Sequence, residues 1–170
     1  GKEVVGLESV AEQVAVFEGV AETDQVEMLR EVVCHYGVFQ AELAEMIDAY
    51  VELHRRGLAH SAEAWQDGAL CGGLYGVSLG KVYYGESMFA RVSNASKAGF
   101  IRLVQALEKA EFTLIDCQQD TEHLMRLGAR NISRELFLEH MTRNAYARTQ
   151  MGRWEFDEQT GIRCNAAPES

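Results

Sequence analysis

Around Gly57 the hydrophobic period of the chain changes from that of a helix to that of a strand, and this change constrains the fold more than any other feature. Before it, Leu43, Met46, Ile47, Tyr50, Val51 and Leu53 fall largely on one stripe at spacings of three and four, the period of an amphipathic helix. The pattern predicts a helix over 41–56. Arg55 and Arg56 suit its C-terminus and Gly57 its stop. After it the period is two. Residues 59–66 and 69–78 are expected to be strands joined at Asp67-Gly68, a dipeptide suited to a tight hairpin turn. Gly80 allows a second turn, and 81–85 a third strand. Helical spacing returns over 94–109, with Ala98, Ile101, Val104 and Leu107 on one face. A short buried strand is expected over 112–117. A helix over 121–127, ended by Gly128, and another over 133–148 follow.

Residues 7–36 read as two helices parted near Thr23-Asp24, and the tail from Gly152 shows no clear period. Helices, an antiparallel meander, a crossing helix and a buried strand together predict an α+β fold, a mixed sheet flanked by helices. Acetyltransferase-like (GNAT-type) folds share this order. The expected organisation is an acidic helical segment at 1–40, a core at 41–150 and a tail at 151–170.

A chain of 170 residues suffices for one domain with a real core. Its four cysteines are scattered, with no Cys-x-x-Cys pair to support a zinc ribbon or a redox motif. Free thiols fit a reducing, cytoplasmic setting. No apolar run approaches the roughly 20 residues of a membrane span, and the first residues carry no signal-peptide pattern. Gly1 in place of Met reads as a trimmed start. None of the five histidines stands at metal-ligand spacing, so no metal is expected. The net charge of −10 opposes a general attraction to a phosphate backbone. The acid is uneven, however. Most of the excess lies in 1–31, whereas Arg126, Arg130, Arg134, Arg143, Arg148 and Arg153 make a basic stretch. That stretch is either a local face for a polyanion or a solvated helix face.

Two carboxylates stand out because apolar residues surround them. Glu86 lies alone in an apolar hairpin. Asp116 ends an apolar strand, with Gln118 two residues on. Strand alternation predicts that Asp116 and Gln118 share a face. Buried carboxylates are costly unless paired or used. The plain alternatives stay open: Asp116 as a turn cap, Glu86 as a turn residue. Cys117, between the first pair, is expected to face into the core. Ser93, Asn94, Ser96 and Lys97 should open a helix, either as an anion site or as ordinary N-capping.

The segments HSAEAW, GGLYGVSLG, GESMFARVSNASK, LIDCQ and HLMRLGA, in order over about 41–145, closely resemble the core of the leucyl/phenylalanyl-tRNA–protein transferases. Members of that family move Leu, Phe or sometimes Met from tRNA to the N-terminal Arg or Lys of a protein. The transfer marks the acceptor for the bacterial degradation route that reads N-terminal residues. The resemblance implies an acetyltransferase-like core and a monomeric cytoplasmic enzyme with no membrane contact. Aminoacyl-tRNA is then a substrate, and no cofactor is needed. It implies that Asp116 holds the acceptor amine and steers its proton. Gln118 would bond Asp116 and the reacting carbonyl region, and Glu86 would hold an amino group at the aminoacyl pocket. Leu74, Tyr83, Met88, Phe89, Phe100 and Ile115 would form that pocket, although a plain core explains them equally well. Ser93, Asn94, Ser96 and Lys97 would take the terminal adenosine or a phosphate of the tRNA. His60 and His123 also lie within the matched motifs. The chain departs from the family before residue 41. FQAEL at 39–43 stands where the family has Gly-Thr-Trp-Ile-Thr, and the family's Gly-Gly-Asp-Leu and Trp-Trp-Ser-Pro segments are missing. Two further readings follow. One is tRNA-dependent aminoacylation of a small molecule or a dedicated peptide. The other is a non-catalytic module that binds basic N-termini through Glu86 and Asp116.

Overall fold

A computed structural model describes residues 2–4 and 40–165. The helices expected over 7–36 lie outside the described residues. Elements follow in the order β1 (Lys2–Val4), α1 (Gln40–Arg55), β2 (Ala59–Gln66), β3 (Ala69–Leu79), β4 (Val82–Ala90), α2 (Ala95–Lys109), β5 (Leu114–Asp116), α3 (Glu122–Arg126), β6 (Ala129–Asn131), α4 (Arg134–Asn144), β7 (Arg153–Asp157) and β8 (Gly161–Asn165). The fold is α+β. A mixed four-stranded sheet runs β2-β3-β4-β5, antiparallel except for the parallel pair β4–β5. β1 pairs with β6, and β7 with β8.

Local chemistry accounts for the boundaries. The first hairpin turns at Asp67 and Gly68, with φ of 52° and 75°, the signs a two-residue type I′ turn requires. α1 stops where Gly57 takes φ +73°, its N–H donating to the His54 carbonyl at 2.8 Å. A Cβ at Gly57 would lie 2.1 Å from the Gly152 backbone nitrogen, so no larger residue fits. Side-chain hydroxyls cap two helices: Thr121 accepts from the Leu124 N–H at 3.3 Å, and Ser133 from that of Leu136 at 3.2 Å.

α2 lies on one face of the sheet. Its Phe100, Leu103, Val104 and Leu107 pack with Ala62, Leu74, Tyr83 and Ile115. On the other face Tyr75 and Phe89 pack with Ile47, Tyr50 and Leu70. The tail, in which no period is legible, forms the β7–β8 hairpin. Trp154 and Ile162 on it are buried in the α2 core. Three other boundaries shift. The third strand runs on to Ala90, the strand expected over 112–117 is three residues long, and the last helix ends at Asn144.

Trp154 stacks flat on His60, ring centroids 3.7 Å apart at 7°. His60 is buried and neither ring nitrogen has a hydrogen-bond partner. Burial, and then the nearby His54 ring, lower its pKa to about 3, against a weak opposing pull from the Gly57 backbone. The unfolded chain titrates this group near the ordinary 6.5. Between pH 6.5 and 3 the unfolded state therefore binds the extra proton, and stability falls as pH falls. Above pH 6.5 the effect is absent. The urea midpoint is expected to drop between pH 7 and pH 5, and His60→Phe, which keeps a ring against Trp154, should flatten that slope. An unchanged slope in the variant would place the acid sensitivity elsewhere.

Candidate active site

Parallel strands β4 and β5 pair over three residues only, Val82 with Leu114, Tyr83 with Ile115 and Tyr84 with Asp116. Beyond that the two chains part. β4 continues to Ala90, whereas the chain after β5 turns sharply at Gln118, which takes φ +57°. α3 closes the far side of the gap. The gap is a cavity of about 200 Å³, smaller than the roughly 300–1,000 Å³ of sites for drug-sized ligands. Its apolar wall includes Leu74, Tyr83, Met88, Phe100 and Ile115. Glu86, Ser87, Gln118, Gln119, Thr121 and His123 are polar residues at it.

Glu86 reaches this gap because of a bulge. Gly76 of β3 faces Gly85, but Tyr75 faces Ser87, so Glu86 is the extra residue on β4. A bulge breaks strict alternation and re-aims a side chain. The half-buried carboxylate accepts a hydrogen bond from Gln118 Nε2 at 3.3 Å and another from the Tyr50 hydroxyl. Burial raises the pKa of the Tyr50 phenol, and the Glu86 charge and hydrogen bond raise it further. The buried Tyr83 phenol is raised for the same first two causes, burial and then Glu86. It donates to the His60 carbonyl at 3.1 Å. Glu86 thus has two neutral donors, Tyr50 and Gln118.

Asp116 is placed differently. Its Oδ1 accepts the Gln118 backbone N–H at 2.9 Å, the bond that fixes the left-handed turn. Its charge acts on Tyr84, whose phenol is raised by burial and then by Asp116. Asp116 is not among the residues that line the cavity. The expected common face of Asp116 and Gln118 fails because alternation ends with β5 and Gln118 has left-handed backbone. The structure brings Gln118 to Glu86 instead. Cys117 packs against the α2 core as expected and also lines the cavity. Of the six expected pocket residues, Leu74, Tyr83, Met88, Phe100 and Ile115 meet there. Phe89 is on the other face of the sheet with Tyr75.

At the start of α2, Asn94 takes φ +67° and makes no side-chain cap. Its Oδ1 accepts from Lys97 Nζ at 3.0 Å, so ordinary capping by Asn94 does not occur. Ser93 is exposed and Ser96 half-buried, and neither lines the cavity. Lys97 lies close enough to His123 for its charge to lower the imidazole pKa, after burial and before Arg126. The helix start therefore adjoins the cavity through His123. Tyr50 and His123 escape a reading of the sequence for different reasons. Tyr50 sits on the apolar stripe of its helix and looks like core. His123 sits in a matched motif without a pattern that assigns it a task.

The family model described as leucyl/phenylalanyl-tRNA protein transferase matches residues 43–142. Curated relatives with the name leucyl/phenylalanyl-tRNA–protein transferase are similar to the chain. That of Pseudomonas fluorescens (strain Pf0-1) is 59% identical over 99 residues, 58% of this chain and 44% of that protein. That of Anaeromyxobacter dehalogenans (strain 2CP-C) is 54% identical over 114 residues, 67% and 49% respectively. That of Desulfatibacillum aliphaticivorans is 52% identical over 118 residues, 69% and 51%. The chain spans about half the length of these relatives. The match runs from α1 to α4 and takes in the bulged Glu86, the turned Gln118 and the cavity between them; on this ground the chain belongs to the leucyl/phenylalanyl-tRNA–protein transferase family.

Proposed function

We propose that the chain carries the aminoacyl-transfer centre of an enzyme that moves Leu or Phe, with Met as a third donor, from tRNA to the N-terminal Arg or Lys of an acceptor protein. The observation that carries this reading is the Gln118–Glu86 pair at an apolar cavity. The donor side chain enters between Leu74, Met88, Phe100 and Ile115. Glu86 binds a cationic amino group, which an apolar wall alone would not hold. The Gln118 amide orients the ester carbonyl, and Asp116 acts by fixing the turn that presents Gln118. Lys97, with Ser93, Asn94 and Ser96, faces the 3′ end of the tRNA. The ester is already activated, so transfer takes neither a covalent intermediate nor a cofactor. The acceptor amine attacks in its neutral form, about a tenth of the population at pH 7 for a group of pKa about 8. In this reading the protein works as a cytoplasmic monomer within the N-degron route.

The test is direct. Leu-, Phe- and Met-tRNA with labelled amino acids are mixed with the chain and a peptide that begins with Arg, and label is followed into the peptide. Transfer is expected with Leu and Phe. Binding of the peptide without transfer would favour a module that reads basic N-termini instead. Absence of both transfer and a tRNA gel shift at low salt would overturn the proposal.

A further inference from the structure

We infer that His123 is the group that accepts the proton from the attacking amine and returns it to the leaving ribose oxygen. The inference rests on the aminoacyl-transfer reading of the same cavity and adds a residue to it. The side chains of Glu86, Gln118 and His123 all line one cavity, yet they differ in what they do with a proton. The Glu86 carboxylate is held by Tyr50 and Gln118. An amide has no basic site at neutral pH. Asp116 bonds the Gln118 backbone and does not line the cavity. His123 is the one imidazole at the cavity among the described residues, set there by the second position of α3 behind the Thr121 cap.

Its surroundings favour the uncharged imidazole. The charges that act on it are Lys97 on α2 and Arg126 on α3, and Glu86 on β4 lines the same cavity. Glu122 is committed to Arg126 at 2.5 Å. Burial, then Lys97, then Arg126 lower the imidazole pKa below its ordinary value. Neutral imidazole is thus the resting form at pH 7, ready to take a proton. The same cations stabilise the tRNA end whose ribose oxygen must leave, so acceptor and leaving group meet at this residue.

The step balances without a co-reactant. The neutral amine nitrogen attacks the ester carbonyl carbon, and the C–N bond forms. The nitrogen becomes cationic and gives one proton to His123. The carbonyl–oxygen bond to the ribose breaks with its electron pair, and the oxygen takes the proton from the imidazolium. Amide and ribose hydroxyl are the products, and His123 ends neutral.

The test compares the wild-type chain with His123→Ala and His123→Gln in transfer of label from Phe-tRNA to an Arg peptide. Thermal melts and tRNA gel shifts verify fold and donor binding. We expect kcat/KM to fall about 10²-fold in both variants. Added imidazole should restore His123→Ala at least several-fold and leave His123→Gln, whose space is filled, unchanged. Below the ordinary imidazole value of about 6.5 the wild-type rate should fall more steeply than loss of the neutral amine alone accounts for, and that extra fall should vanish in both variants. Activity within about threefold of wild type would overturn the assignment. So would a loss that imidazole does not restore and that leaves the shape of the pH profile intact, since this marks a structural role. A wild-type chain that moves no label would instead overturn the transfer reading, before any variant is compared.

Discussion

Trp154→Ala is expected to lower the unfolding free energy by about 3–5 kcal/mol, the range for deleting a buried Trp side chain. Trp154 is only 7% exposed. One face of its indole stacks on His60, Phe112 meets it edge-on at 5.7 Å, and Tyr83 lies 6.2 Å away. Its indole N–H donates to the Gln150 carbonyl at 2.9 Å. Truncation would leave a void that β2, α2 and the hairpin cannot close together, because each is pinned by its own backbone bonds. It would also leave the Gln150 carbonyl without its donor and His60 without its stacking partner. Guanidinium unfolding at pH 7 measures the effect. Trp154→Phe, which keeps a ring and loses the N–H, should cost clearly less. A loss below about 1 kcal/mol for the Ala variant would mean that the hairpin is not part of the cooperative core.

Glu86→Gln is expected to lower kcat/KM for transfer by about 10³-fold, or about 4 kcal/mol, within the range for removing one partner of a desolvated charge pair. The substitution keeps size and removes only the charge. The Tyr50 hydroxyl can still donate to the new amide oxygen, so the local fold should hold and the melting temperature should move little. What is lost is the counter-charge for a cationic amine next to an apolar wall. If that amine belongs to the donor, the loss should be the same for Arg and Ala peptides. If it belongs to the acceptor, discrimination between Arg and Ala peptides should shrink. Transfer within about threefold of wild type would remove Glu86 from the site.

Much of the fold is legible residue by residue. The stripe from Met46 to Leu53, the Asp67-Gly68 turn and the apolar face of α2 each need only local periodicity and local backbone preference. The β7–β8 hairpin does not show itself. Its burial is concentrated in Trp154 and Ile162, too few to make a period, and its place is set by α2 rather than by its own pattern. Phe89 lies on the face away from the cavity for a related reason. Strand alternation counts residues, and the bulge at Glu86 shifts the count for everything after it. Gln118 follows the same logic, because a strand that ends at Asp116 no longer orders the side chains beyond it.

The residues by themselves determined the helix-to-strand order, the first hairpin and the five motifs that place the chain in its family, since these depend on local spacing and identity. Only the tertiary structure decided which polar groups meet. Glu86 and Gln118 are 32 residues apart. A one-residue bulge and one left-handed residue bring them together across the gap between β4 and β5. Those two irregularities are choices of packing, made where strands part and a cavity forms, and no hydrophobic period records them.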